Sequence, residues 1–147
     1  MTTQLTLIQI DNYGPWTVTP EPRREMDLQT LQSRLFADIA QFVGSRGGYV
    51  FFSRFDNMIA VTNGIGRAGH KSLQESVRNR YPVTVSLGIG TAETPAAALD
   101  AATEQIQAAG SAQDKSRTEV LAGEPLDGDA DATTHMAHFD VNDATGK

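Results

Sequence analysis

The stretch Tyr49–Thr62, YVFFSRFDNMIAVT, decides the fold class of this chain. Two short runs rich in β-branched and aromatic residues, Tyr49–Phe52 and Met58–Thr62, flank the polar segment Ser53–Asn57. This arrangement predicts a β-hairpin with a polar tip.

Before the hairpin, the chain predicts one strand, one loop and one helix. Leu5–Ile10 (LTLIQI) has the composition of a strand, and the prolines of Asp11–Pro22 exclude a regular element through most of that segment. Apolar residues then recur at helical spacing from about Arg23 to Val43. The hairpin is therefore preceded by a strand and a long helix.

After the hairpin, the same signals predict a helix over about His70–Arg80 and a strand over Val83–Ile89. A third helix follows, with Thr94 as its N-cap and Gly110 as the residue just beyond its C-terminus. Glu119–Leu121 is a candidate edge strand.

The order βαββαβ over residues 1–121 predicts an α+β domain of the ferredoxin-like, palm type, with an antiparallel sheet and helices on one face. Residues 122–134 are small and acidic, which is typical of a linker. Residues 135–147 contain a short run that leads into Asp140, much as the first strand leads into Asp11. They are interpreted as the first strand of a truncated second copy of the domain, with chance similarity as the alternative.

Composition restricts the function classes. The 147 residues carry a formal net charge of −6 and no cysteine, so disulfides and zinc–thiolate sites are excluded and general attraction to nucleic acid or anionic lipid is not expected. No apolar run approaches the ~20 residues of a membrane span, and no secretory signal is visible. A cytoplasmic location is expected, and a polyanionic ligand would need a metal ion or a local basic pocket.

The most informative pair of side chains is Asp11 and Asp56. Asp11 ends the first strand and Asp56 lies in the hairpin, so in this fold both lie at the same end of the sheet. Carboxylates placed in this way can hold Mg2+, which prefers oxygen ligands and leaves positions for water and phosphate. The alternative is that both are exposed turn-forming residues, because Asp favours turns for local reasons.

Phosphate contacts are expected nearby. The backbone N–H groups of Asn12, Tyr13 and Gly14 follow the first strand, and Arg54 lies beside the hairpin carboxylate. For His70 we expect an ordinary surface position, with a role as base or metal ligand as the alternative. Arg78 is expected to be a surface charge.

Several longer strings resemble archaeal GTP cyclohydrolase III. They are Ile8–Pro20 (IQIDNYGPWTVTP), Phe55–Asn63 (FDNMIAVTN), Gln74–Tyr81 (QESVRNRY), Gly110–Asp114 (GSAQD) and His138–Gly146 (HFDVNDATG). The resemblance implies Mg2+-dependent hydrolysis of GTP that opens the imidazole ring. The products would be a formylaminopyrimidine nucleoside monophosphate and two phosphates, for deazaflavin and riboflavin synthesis.

The resemblance also implies a site and a molecular context. Asp11 and Asp56 would be the metal ligands and catalytic residues, the backbone of Ile10 would contact metal, and Asn57 would join the nucleotide site. A monovalent cation such as K+ would act as activator, and the full-length family would form homo-oligomers of subunits with two palm-like domains. Two alternatives remain: a palm-type nucleotidyl cyclase, and a fragment that binds nucleotide without turnover.

Overall fold

The computed structural model describes residues 2–11, 24–54, 57–110 and 118–126 of the chain. Within these ranges it contains β1 (Thr3–Ile10), α1 (Arg24–Gly44), β2 (Tyr49–Arg54), β3 (Asn57–Val61), α2 (Arg67–Arg80), β4 (Val85–Ala92), α3 (Pro95–Ala108) and β5 (Leu121–Ala122). The predictions for Asn12, Tyr13, Gly14, Asp56, for the linker beyond residue 126 and for residues 135–147 lie outside the described residues.

The sheet has five strands in the order β2-β3-β1-β4-β5. β1 lies at the centre, antiparallel to both β3 and β4, and β2 and β3 form the predicted hairpin. The palm-type α+β prediction is confirmed, with one correction: β5 runs parallel to β4, so the sheet is mixed rather than antiparallel. The reason is the connection, because α3 carries the chain back along the sheet before β5 pairs.

The two helices of the βαββαβ order, α1 and α2, lie on one face of the sheet as predicted, and the third helix, α3, lies on the other face. Ile8 and Ile10 of β1 pack in one core cluster with residues of α1 and α2, such as Leu35 and Leu73. Leu7, which points to the opposite face, packs with Ala102 and Ile106 of α3. β1 and β4 are therefore buried on both faces along most of their length, and the buried positions include the polar residues Gln4, Thr6 and Ser86.

Close approach between α3 and β4 depends on small residues. A Cβ atom at Gly88 would lie 2.6 Å from the carbonyl oxygen of Ala102 and 2.9 Å from Cβ of Ile106. At Gly90 a Cβ atom would overlap the backbone of Ala98 and Ala102. The helix backbone thus rests directly on two glycines of the strand.

Both ends of α3 follow the sequence prediction. The hydroxyl of Thr94 accepts a hydrogen bond of 3.2 Å from the N–H of Ala97, and Pro95 occupies the first helical position. Gly110 has φ 107°, the left-handed conformation that glycine adopts readily after a helix. These local signals confirm the helix boundaries.

The first residues of the segment interpreted as a linker contact the domain. Leu126 donates its N–H to Oε1 of Gln4 at 2.6 Å. Gln4 is buried at the start of β1, and its Nε2 donates to the carbonyl oxygens of Thr62 and Ile65. The described domain therefore extends to residue 126. None of the helices in the described ranges combines the length and apolarity needed to cross a bilayer.

His70 is only 2% exposed, so the expectation of a surface histidine is wrong. Its Nδ1 lies 2.7 Å from the carbonyl oxygen of Gly66, which can only accept, so Nδ1 carries a proton. In neutral His70 the other nitrogen, Nε2, then accepts from the hydroxyl of Thr6 at 2.7 Å. Thr6 belongs to the first half of β1, away from Asp11. His70 is a structural residue of the core.

Tyr81 should titrate unusually late. Burial, and after it the hydrogen bond and negative charge of Asp38, raise the pKa of Tyr81 to about 12. In the unfolded chain the pKa of a tyrosine is about 10. The contribution of Tyr81 to the free energy of unfolding is therefore fully present below about pH 10 and is lost as the pH rises through 12. We expect Tyr81→Phe to remove the latest step of a tyrosinate absorbance titration and to flatten the alkaline loss of stability. An unchanged titration above pH ~11 would contradict this assignment.

Candidate functional site

The end of β1 and the hairpin share one end of the sheet. Gln9, two residues before Asp11, lies opposite Asn57 at the start of β3. Asn57 also pairs with Arg54, the last residue of β2. The described residues on both sides of the hairpin tip therefore lie beside the end of β1.

Asp11 is 3% exposed, and within the described ranges donors from three separate positions hold its carboxylate. Oδ1 accepts from the hydroxyl of Ser86 at 2.6 Å, and Oδ2 accepts from the hydroxyl of Thr84 at 2.8 Å. Oδ2 also accepts from the backbone N–H of Glu119 at 2.9 Å. The N–H of Asp11 donates to the carbonyl oxygen of Thr84 at 2.9 Å. The orientation of this carboxylate is thus set by β4 and by the segment before β5.

The segment 118–120 is held from several sides. The N–H of Val120 donates to Oγ of Ser86 at 3.0 Å, and its carbonyl oxygen accepts from the N–H of Leu87 at 2.8 Å and from Nε2 of Gln74 at 2.9 Å. Glu119 has φ 51°, a conformation that costs a non-glycine residue roughly 1–3 kcal/mol. These contacts hold the segment in a backbone conformation that would be unfavourable without them.

Arg78 of α2 completes this arrangement. Its Nη1 lies 2.8 Å from Oε1 and 3.1 Å from Oε2 of Glu119. Sequence reasoning assigned Arg78 to the surface and did not connect Glu119 with Asp11. No pattern of neighbouring residues indicates the contact between Glu119 and Asp11, because the two residues are 108 positions apart along the chain.

Asn57 offers an unused acceptor. Its Oδ1 is buried and has no hydrogen-bond partner within the part of the chain that the structure describes. Asn57 lies opposite Gln9, and Asp11 follows Gln9 by two residues, so Asn57 and Asp11 belong to the same face of the sheet. A buried acceptor without a partner is costly, and it suits a cation or a donor group of a ligand.

Other predicted site residues are placed only in part. The side chain of Ile10 is buried in the core, so its backbone carbonyl is the group that could reach a metal. Arg54 ends β2, and its backbone pairs with Asn57. In the described ranges no group of three or more His, Cys, Asp or Glu side chains could hold a metal ion. Among the described residues at this sheet end, Asp11 is accompanied by uncharged oxygen atoms such as Oδ1 of Asn57.

Sequence comparisons with known proteins indicate one family. A family model described as GTP cyclohydrolase III matches residues 2–147. GTP cyclohydrolase III of Natronomonas pharaonis is 68% identical over 147 residues, which cover 99% of this chain and 58% of that protein. GTP cyclohydrolase III of Methanocaldococcus jannaschii is 58% identical over 145 residues, with coverage of 97% and 53%. The chain spans a little more than half the length of these curated relatives.

Solved structures resemble the chain in fold. The GGDEF domain of DgcB from Caulobacter crescentus, in complex with c-di-GMP, matches with a TM-score of 0.58 at 14% identity, over 82% of this chain and 77% of that one. The FimX GGDEF domain from Pseudomonas aeruginosa matches with a TM-score of 0.57 at 14% identity, over 82% and 79%. At this level of identity the likeness concerns the fold alone.

Proposed function

Because this chain belongs to the GTP cyclohydrolase III family, we propose that it binds GTP and opens the guanine imidazole ring by Mg2+-dependent hydrolysis. The products would be a formylaminopyrimidine nucleoside monophosphate and two phosphates. The single observation that carries the proposal is the buried Asp11, held by Thr84, Ser86 and Glu119 at the sheet end that also bears the hairpin. A monovalent cation such as K+ as activator, and a homo-oligomeric full-length protein, belong to the same proposal.

The donors at this sheet end fit Mg2+. Three groups at this end offer oxygen atoms, which Mg2+ prefers: the carboxylate of Asp11, the backbone carbonyl of Ile10, and Oδ1 of Asn57, for which the described residues supply no hydrogen-bond partner. Asp56 from the hairpin would be the second carboxylate. When bound, the ion would neutralise phosphate charge and lower the pKa of a coordinated water.

The residues of the chain would have separate tasks. The oriented carboxylate of Asp11 needs no rearrangement to receive a cation, because Ser86, Thr84 and Glu119 already hold both oxygens. The backbone N–H groups of Asn12, Tyr13 and Gly14 would contact phosphate, and the guanidinium of Arg54 would bind it as well. Local features of this kind are needed because the net charge of −6 repels a triphosphate.

Product analysis tests the reaction. The full chain would be incubated with GTP and Mg2+, beside the same domain continued by the second half of the Natronomonas pharaonis relative. Mass spectrometry should find the ring-opened monophosphate, with two phosphates released per GTP and no conversion in EDTA. A cyclic nucleotide would support the nucleotidyl cyclase alternative instead. Binding without any turnover in both proteins would support the nucleotide-binding fragment.

GTP affinity should depend steeply on the metal and less on Arg54. The carboxylates of Asp11 and Asp56 must be neutralised before phosphate approaches, so we expect EDTA to weaken binding most. Arg54→Ala should weaken it about tenfold, the size of one charge-assisted contact. Calorimetry would measure the Kd, with Arg67→Ala as control, since Arg67 begins α2 and pairs with Glu124 at the other end of the sheet. Equal affinity with and without Mg2+ would contradict the carboxylate pair.

A further inference from the structure

We propose that Arg78 and Glu119 are positioning residues for Asp11: the ion pair between α2 and the segment 118–120 keeps that segment against the Asp11 carboxylate and thereby tunes the affinity of the metal site. The inference rests on the proposed function, because it takes Asp11 to be a metal ligand. Neither residue is proposed to touch metal or substrate.

Two successive residues of the segment serve the two oxygens of one carboxylate. Glu119 donates its N–H directly to Oδ2 of Asp11 at 2.9 Å. Val120 donates its N–H to Oγ of Ser86 at 3.0 Å, and Ser86 donates its hydroxyl proton to Oδ1 of Asp11 at 2.6 Å. A shift of this segment would therefore disturb both oxygens together.

α2 holds the segment through two side chains that are one helical turn apart. Gln74 donates to the carbonyl oxygen of Val120 at 2.9 Å, and Arg78 donates to both carboxylate oxygens of Glu119. Residues four apart lie on the same face of a helix, so α2 presents both donors to the segment. The side chain of Glu119 is 19% exposed and that of Arg78 is 50% exposed, so solvent screens the pair from the arginine side.

The backbone conformation of Glu119 explains why the ion pair is needed to hold the segment in place. Its φ of 51° is a left-handed conformation that glutamate adopts only where its surroundings hold it. β5 is only two residues long and offers little pairing of its own. Without the ion pair, Glu119 can relax toward an ordinary conformation and withdraw its N–H from Oδ2. Asp11 then keeps its charge and loses part of its orientation.

Arg78→Gln should weaken metal binding, and Arg80→Gln is the matched control. Arg80 lies two residues further along α2, is 60% exposed against 50% for Arg78, and pairs with Asp38 at 3.4 Å instead of with Glu119. Binding of Mn2+ to the full chain without nucleotide would be followed by the electron paramagnetic resonance signal of the free ion. We expect Arg78→Gln to weaken Mn2+ about fivefold, less than the loss of a direct outer-shell partner usually costs. Arg80→Gln should leave the affinity unchanged, and both variants should have the same urea midpoint.

A double-variant cycle and a kinetic measurement separate positioning from general destabilisation. Glu119→Gln should reproduce Arg78→Gln, and the double variant should be no worse than either one, because all three lack the same pair. Arg78→Lys should restore part of the affinity. In turnover assays the Mg2+ concentration for half-maximal rate should rise, while the KM for GTP at saturating Mg2+ stays constant.

The outcomes distinguish this inference from the proposed function. Equal Mn2+ affinities of the Arg78→Gln and Arg80→Gln variants, with no binding to Asp11→Asn, would overturn the positioning role and leave the metal site standing. Normal Mn2+ affinity of Asp11→Asn would overturn the metal site and the positioning role with it. If Arg78→Gln does not fold, Glu119→Gln gives the same comparison against Glu124→Gln, since Glu124 is 91% exposed and makes only a 4.0 Å contact.

Discussion

Asp11→Asn is expected to abolish GTP turnover while the domain remains folded. The substitution removes the negative charge that would hold the metal, which is worth several kcal/mol of transition-state stabilisation and a rate loss of about a thousandfold or more. The fold should survive because the hydroxyl of Ser86 can reverse and accept from the new amide group. The amide oxygen can still accept from Thr84 and from the N–H of Glu119.

Steady-state turnover at saturating Mg2+ and a urea titration would measure the two halves of this prediction. Asp100→Asn is the control, since Asp100 is an exposed carboxylate on α3. From the sequence, Asp56→Asn is expected to behave as Asp11→Asn does. A near-normal rate in the Asp11 variant would show that this carboxylate is not part of the reaction.

Gly90→Ala is expected to cause a large loss of stability of the domain. The new Cβ atom would overlap the carbonyl oxygen of Ala98 and the amide nitrogen of Ala102, and would lie 2.9 Å from the carbonyl carbon of Ala101. All three are backbone atoms of α3, so no side chain can move aside and the helix itself must shift. We expect a cost of about 3 kcal/mol in the free energy of unfolding.

Gly44→Ala provides the matched control. Gly44 is the last residue of α1, and a Cβ atom there would meet nothing within 4 Å. Alanine is the better helix former by up to about 1 kcal/mol, so this variant should be neutral or slightly more stable. Thermal or urea unfolding of both variants would be compared. Similar midpoints would mean that α3 does not rest on β4 as closely as described.

The elements of this fold were predictable because their signals are local. The strand runs around the hairpin, the helical spacing of apolar residues, the N-cap Thr94 and the glycine at Gly110 each depend on a few neighbouring residues. The hairpin and β1 also imply which sheet end bears Asp11. From the sequence it was therefore possible to predict the palm-type class and the sheet end at which Asp11 lies, whereas its burial was not predicted.

Tertiary packing determines three features that local sequence signals do not indicate: the face on which α3 lies, the direction of β5 and the burial of His70. The mixture of apolar and polar residues in β1 and β4 fits burial on either one or two faces, and only the crossing of α3 over Gly88 and Gly90 placed a helix on the second face. The same crossing brought β5 parallel to β4. His70 lies in the core because the hydroxyl of Thr6 and the carbonyl oxygen of Gly66 each form a hydrogen bond with one of its ring nitrogens.

The surroundings of Asp11 belong entirely to the tertiary structure. Its charge and its place after a strand can be read from the sequence, but Thr84, Ser86 and Glu119 reach it from distant parts of the chain. Hydrogen bonds of this kind form only after β4 and the segment before β5 have taken their places beside β1. The residue type was thus determined locally, and its orientation was determined by long-range contacts that have no signature in the sequence around it.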